Sequence, residues 1–300
     1  MSAVPYLDAA ALRRAVPLPA AIDAVERMFV ADDVDVPQRS HLDVGGGDLL
    51  VMPAWATGGV GVKLVTVAPG NPAAGKALVN GVYVLFARPS LEPVLMIDGA
   101  AVTALRTPAV SAVATRHLAR PDARRLVIFG AGTQARGHLD AVRAVREVES
   151  VVVVARSRDS AEALAEAARA DGLEARAGAP EDVADADIVC TCTTSASPLF
   201  DGRGLAAGAH VNAVGAYKPH ARELDDATIR RATVVVEERA AALVEAGDVV
   251  LPVESGALDP SSVLELRDVI RDGRPAADVT VFKSVGLASE DLAVALAALG

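Results

Sequence analysis

The sequence predicts an α/β protein: a doubly wound parallel sheet, preceded by an α+β domain that the last helix completes. Three observations predict it. From Arg125 onward, continuous apolar runs alternate with helical patterns, and a glycine turn joins the first such run to the first helix. Before residue 120, apolar runs follow one another with only Gly and Pro clusters between them. Buried strands alternating with helices imply a parallel sheet covered on both faces, whereas consecutive strands separated by turn residues imply an antiparallel or mixed sheet.

The first helical pattern, "PLPAAIDAVERMFVA", carries Ile22, Val25, Glu26 and Phe29 at helical spacing, with Pro19 suited to the first turn. "LLVMPAW", "VGVKLVTVAP", "GVYVLFA" and "EPVLMID" read as strands. "RTPAVSAVATRHLAR" offers Thr107 as N-cap, Pro108 at the first helical position, and a stripe of Val110, Val113, Ala114, His117 and Leu118. This helix is expected to bridge the two halves. Then come "LVIFG", a helix from Gln134, "VVVVAR", a helix from Ser160 to Ala170, "DIVCTCT", "AHVNAVG" and "ATVVVEE". "FKSVGLASEDLAVALAALG" reads as helical and is expected to fold back onto the first domain, which gives boundaries of 1–118 with 285–300 and 119–284.

Composition narrows the function. Acidic residues outnumber basic ones 39 to 29, and no Lys/Arg run exceeds two, which argues against nucleic acid and anionic membrane as partners. With 52% hydrophobic residues the chain can bury a core without disulfides or metal. Cys190 and Cys192 sit two apart in a strand-like run, a spacing unsuited to a disulfide or a four-ligand zinc site, so no metal is expected. No run of 18 apolar residues and no signal-peptide layout occurs, so a cytoplasmic protein is expected.

Gly130-x-Gly132-x-x-Ala135 follows a strand and opens a helix, the layout of a nucleotide-binding β-α-β unit. Glycines let backbone approach a pyrophosphate, and the helix start offers free N–H groups. Thr133 and Gln134 within the turn, and Thr193 at the end of "DIVCTCT", complete the cofactor candidates on this side. NAD sites place Asp or Glu at the end of the second strand, but here stand Ala155-Arg156-Ser157-Arg158. Two guanidiniums and a hydroxyl match a 2′-phosphate, so NADP(H) is expected in preference to NAD(H).

Other residues admit two readings each. Lys63, one of four lysines, interrupts an apolar strand and either snorkels from an edge or faces a ligand carboxylate. Arg39 and Arg106 are either solvated or turned into a cleft. Asp225 precedes a helical pattern and reads as an N-cap or an acid/base group. Nothing in the spacing of His41 or His220 selects them for chemistry.

"VPQRSHL", "LLVMPAW", "GVKLV", "VTALRTPAVSAVAT", "VIFGAGTQARGHL", "HVNAVGAYKPHARELD" and "VFKSVGLASEDLA" together resemble the ornithine cyclodeaminase and mu-crystallin family over nearly the whole chain. The resemblance implies a homodimer with a Rossmann domain for the nucleotide, and an N-terminal domain, completed by the last helix, for substrate and dimer contacts. It also implies that Arg39, Lys63 and Arg106 grip a substrate carboxylate and that Asp225 is the acid/base group. Crowding by two like charges is expected to lower the Lys63 pKa and help it exchange protons. Ornithine-using relatives place a glutamate two residues before the Met-Pro step, where this chain has Leu50 before Met52-Pro53. The expected activity is NADPH-dependent reduction of a small cyclic ketimine acid, 1-pyrroline-2-carboxylate or 1-piperideine-2-carboxylate, to proline or pipecolate. Ornithine cyclodeaminase, an amino-acid dehydrogenase and a non-catalytic NADPH-binding protein are the alternatives.

Overall fold

The computed structural model describes residues 3–300, which form two compact units: residues up to Val110 with Gly286–Gly300, and Ser111–Val285. The first unit begins with β1 (Tyr6–Leu7), α1 (Ala9–Ala15) and α2 (Leu18–Val30). Then follow β2 (Ser40–Asp43), β3 (Asp48–Ala56), β4 (Gly59–Val67), β5 (Val79–Phe86) and β6 (Pro93–Asp98). β2 to β6 form an antiparallel meander, and β1 adds in parallel to β6, so the six-stranded sheet is mixed, as expected.

Burial alternates along β4, with Gly59, Gly61, Lys63, Val65 and Val67 inward, because successive strand residues face opposite sides of a sheet. Register carries that inward face across the sheet: Met52 stands opposite Lys63, Lys63 opposite Tyr83, and Tyr83 opposite Ile97. Gly61 makes room for Tyr83, since a Cβ there would lie 1.6 Å from the Tyr83 hydroxyl oxygen.

Helix α3 (Gly99–Leu118) corrects the sequence reading. It begins eight residues before Thr107, because Asp98 at the end of β6 caps it, its Oδ1 accepting from the backbone N–H groups of Ala100 (2.9 Å) and Ala101 (3.1 Å). Pro108 therefore lies inside the helix and Arg106 in mid-helix. The compact units divide within this helix, after Val110, earlier than the boundary expected at residue 118.

The second unit has β7 (Arg125–Phe129), α4 (Thr133–Arg143), β8 (Ser150–Val154), α5 (Arg158–Ala170), β9 (Glu174–Ala177), β10 (Ile188–Thr191) and β11 (His210–Ala213). It continues through α6 (Asp226–Arg231), β12 (Ala232–Val236), α7 (Arg239–Glu245), α8 (Gly247–Glu254), β13 (Leu264–Glu265), α9 (Leu266–Asp272) and β14 (Val279–Lys283). The strands pair in parallel in the order β13-β12-β14-β11-β10-β7-β8-β9. The chain runs outward from β7 to β8 and β9, then returns to β10 on the other side, which makes β7/β10 the topological switch point where such sheets bind ligands.

The helical run expected from Phe282 is also corrected. Phe282 and Lys283 end β14, Gly286 turns the backbone at φ +81°, and α10 (Ala288–Leu299) starts only then, within the first unit. It packs on α2 and on β3, β4, β5 and β6. Among the described residues no helix is long and apolar enough to cross a membrane, and no group of three or more His, Cys, Asp or Glu is placed to hold a metal ion.

Candidate active site

Chemistry-bearing residues gather in each unit. In the first, α10 brings two carboxylates to the inward row of the sheet. Asp291 Oδ1 accepts from Lys63 Nζ at 2.8 Å and lies 3.3 Å from Arg106 Nε, while Arg106 donates through Nη1 to Glu290 Oε2 at 2.9 Å. Lys63 also donates to the Thr103 hydroxyl at 3.2 Å. Lys63 is 1% exposed and Arg106 6%, and both carboxylates are fully buried. Burial drives the Lys63 ammonium down to about 8, assisted by Arg106 and opposed by Asp291. Two cations and two carboxylates leave the cluster electrically balanced.

Close packing fixes Arg106. A Cβ on Gly286 would lie 2.3 Å from its Nη1 and 2.4 Å from its Nη2, so that backbone bend is free of a side chain for the guanidinium's sake. Leu50 is buried on the same inward face two residues before Met52. Arg39, half-buried, directly precedes β2. The structure thus joins Lys63 to Arg106 through Asp291, while Arg39 stands on the segment before β2. Glu290 and Asp291 were missed by sequence reasoning. Their signal was present: a helix whose residues are otherwise apolar all round must bury any acid it carries.

In the second unit, a cavity of about 870 Å³ opens at the carboxyl ends of β7, β8 and β10. Gly130 takes φ +111° and packs its Cα face against Cys192, whose carbonyl oxygen would lie 2.7 Å from any Cβ placed there. Gly132 caps α4 with no side-chain bond and with open space around it, so the helix's first N–H groups are unobstructed. That geometry accepts a pyrophosphate. Arg156 and Ser157 form the cavity's rim beyond β8, and Thr193 forms part of its wall beyond β10. Of the other expected cofactor residues, Thr133 and Gln134 open α4, Ala135 is buried in the core behind the turn, and Arg158 is exposed at the start of α5. Gly178 and Pro180, which also line the cavity, follow β9 and carried no sequence signal.

Asp225 is a helix cap. Its Oδ1 accepts from the Thr228 backbone N–H (2.8 Å) and hydroxyl (2.7 Å), and its Oδ2 from the Gly202 N–H (3.1 Å). Three of about four acceptor positions of the carboxylate are thereby committed to folding. These contacts are those of the capping reading. Asp225→Ala is expected to lower stability by about 0.5–2 kcal/mol while leaving turnover within a few-fold, as thermal melts and steady-state rates will show. A hundredfold loss of turnover would restore Asp225 to the chemistry. His41 pairs with Asp48 at 2.9 Å on the surface, and His220 is exposed.

A doubly wound parallel sheet with an open glycine turn at its switch point defines a dinucleotide-binding protein of Rossmann type. The chain belongs to the ornithine cyclodeaminase/mu-crystallin family, whose profile matches residues 10–298. It is similar to a Delta(1)-pyrroline-2-carboxylate reductase of Bacillus cereus, 40% identical over 280 residues that cover 89% of this chain and 86% of that protein. It is also similar to the ketimine reductase mu-crystallin of Mus musculus, 38% identical over 264 residues covering 87% and 81%. Among solved structures, the Thermococcus litoralis Delta(1)-pyrroline-2-carboxylate reductase in complex with NADH and L-proline superposes with a TM-score of 0.93 at 32% identity, covering 98% of this chain and 96% of that one. The family expected from the motifs is the family found.

Proposed function

We propose that this protein is an NADPH-dependent reductase of small cyclic ketimine acids, converting 1-pyrroline-2-carboxylate or 1-piperideine-2-carboxylate to proline or pipecolate. The observation that carries the reading is the buried, balanced cluster of Lys63, Arg106, Glu290 and Asp291. Its two cations, Lys63 and Arg106, offer a substrate carboxylate its counter-charges, and a proton passed from Lys63 to the neutral imine turns the bound substrate into a zwitterion, whereas a second, unpaired ammonium would be buried at a cost of several kcal/mol. Leu50 on the same face offers nothing to a second ammonium, which argues against ornithine. The names of the relatives agree with a cyclic imine as substrate.

Bound NADPH supplies the hydride. The chain supplies the rest. Arg106, a rigid fork, orients the carboxylate, with Arg39 as a second donor. Lys63 holds a proton at the ring nitrogen, because only an iminium carbon accepts hydride readily, and an ammonium lowered to about 8 gives up its proton near neutral pH. Asp291 keeps Lys63 in place between turnovers. Hydride adds to carbon, the proton stays on nitrogen, and the product amine leaves with both.

The cofactor preference rests on Arg156 and Arg158, both exposed where a ribose 2′-substituent is read. Replacing both with alanine is expected to raise the KM for NADPH by about ten- to a hundredfold and to leave that for NADH within about twofold. Equal effects on the two cofactors would refute the 2′-phosphate reading. A homodimer completes the proposal. The face of the six-stranded sheet opposite Lys63 carries Val51, Val62, Leu64, Val82, Val84 and Met96, an apolar surface of the kind obligate dimers bury.

A further inference from the structure

Beneath the wall of the nucleotide cavity lie three charged residues that the proposed reaction leaves unused. Glu223, Asp248 and Lys283 are each no more than 1% exposed. Glu223 Oε1 accepts from the Thr193 backbone N–H (2.9 Å) and hydroxyl (2.6 Å). Its Oε2 accepts from the Thr191 hydroxyl (2.8 Å) and from the backbone N–H groups of Gly215 (2.8 Å) and Ala216 (3.3 Å). Asp248 Oδ1 accepts from the N–H groups of Glu223 and Leu224, and its Oδ2 pairs with Lys283 at 2.9 Å. Lys283 also donates to the Ala216 carbonyl.

Two consequences follow from this arrangement. Glu223 ties the segment after β10 to the segment after β11, and the fit is close enough that a Cβ on Gly215 would lie 2.1 Å from the Thr193 carbonyl oxygen. The group also carries a net negative charge, since Lys283 offsets Asp248 while all five donors to Glu223 are neutral. Buried charge without a counter-ion is costly, so its position is informative. It sits behind Thr193, on the side of β7 opposite Arg156. A dinucleotide lying across a switch point puts its adenosine half over the second strand and its nicotinamide half on the other side.

We propose that Glu223 is a positioning residue that sets the cofactor's redox preference: its buried negative charge behind Thr193 favours the cationic, oxidised nicotinamide over the neutral, reduced one. Hydride donation is thereby drawn forward. The inference rests on the nicotinamide-cofactor reading above. A unit charge at roughly 10 Å in a medium of effective dielectric about 20 changes the relative affinity by about tenfold.

The test is calorimetric titration of NADP+ and NADPH into the full-length protein, with thermal melts to confirm folding. Glu223→Gln is expected to raise the ratio of the NADP+ to the NADPH dissociation constant by about tenfold. Lys283→Gln keeps a hydrogen-bond donor but removes the opposing cation, so it is expected to lower the same ratio; it carries the test should Glu223→Gln not fold. A purely structural role weakens both nucleotides equally, and an unmoved ratio in a folded variant overturns the inference. Should the wild type bind neither nucleotide, the cofactor reading fails and this inference fails with it, an outcome distinct from binding with an unmoved ratio.

Discussion

Lys63→Met is expected to lower turnover by about 10²- to 10⁴-fold while the dissociation constant for NADPH stays within a few-fold. Methionine matches the stem of the lysine but holds no proton for the ring nitrogen. It also leaves Asp291 and Glu290, both fully buried, facing Arg106 alone, and breaking a buried pair in this way costs about 3–5 kcal/mol. Stability and chemistry can be separated. Adding Asp291→Asn restores charge balance, so the double variant should regain most of its thermal stability and none of its turnover. Recovery of turnover in the double variant would show that Lys63 serves the fold and not the reaction. The wild type supplies an independent check: turnover should fall as pH rises through about 8, where Lys63 loses its proton, and that limb should be absent from Lys63→Met.

Arg106→Leu is expected to raise the Michaelis constant of the imino acid by about 10²- to 10³-fold, with a smaller effect on turnover. A guanidinium presents two parallel donors to a carboxylate, and losing a charge-assisted pair of bonds in a dry site costs about 3–4 kcal/mol. Glu290 is stranded at the same time, so a fall in melting temperature should accompany the kinetic change. Arg106→Lys tests geometry separately from charge. Lysine keeps the cation without the fork, and it should leave the Michaelis constant closer to Arg106→Leu than to the wild type. A normal Michaelis constant in both variants would remove Arg106 from carboxylate binding.

Much of this organisation was legible in the sequence for identifiable reasons. The strands β3 to β8 and β10 to β12 announced themselves as apolar runs, and the glycine turn of Gly130 and Gly132 could be read because strand, turn and helix are contiguous in the chain. Local signals failed where the partner was remote. Asp291 and Glu290 are 228 and 184 residues from the cations they meet, and in the sequence they look like ordinary first-turn acids of a helix. The apolar remainder of α10 shows that its acids are buried and says nothing of what lies against them. The same limit explains α3: Thr107-Pro108 is a good start signal, but Asp98 at the end of the preceding strand supplies the cap first. β9, with the sequence Glu174-Ala-Arg-Ala177, has no strand-forming bias and exists because β8 offers it an edge. Asp225 shows the converse, since its local signal, an N-cap before a helical pattern, matches the contacts it makes.

In the function proposed above, the buried cluster serves a cyclic imine reduced at the expense of NADPH. The most direct test follows NADPH oxidation with 1-pyrroline-2-carboxylate and with 1-piperideine-2-carboxylate, beside an ammonia assay with ornithine in the absence of added reduced cofactor. The expected result is rapid oxidation with at least one imine, an equal amount of proline or pipecolate formed, and no ammonia from ornithine. Ammonia release without net oxidation would contradict the account, because the face that carries Leu50 would then be accommodating a second ammonium.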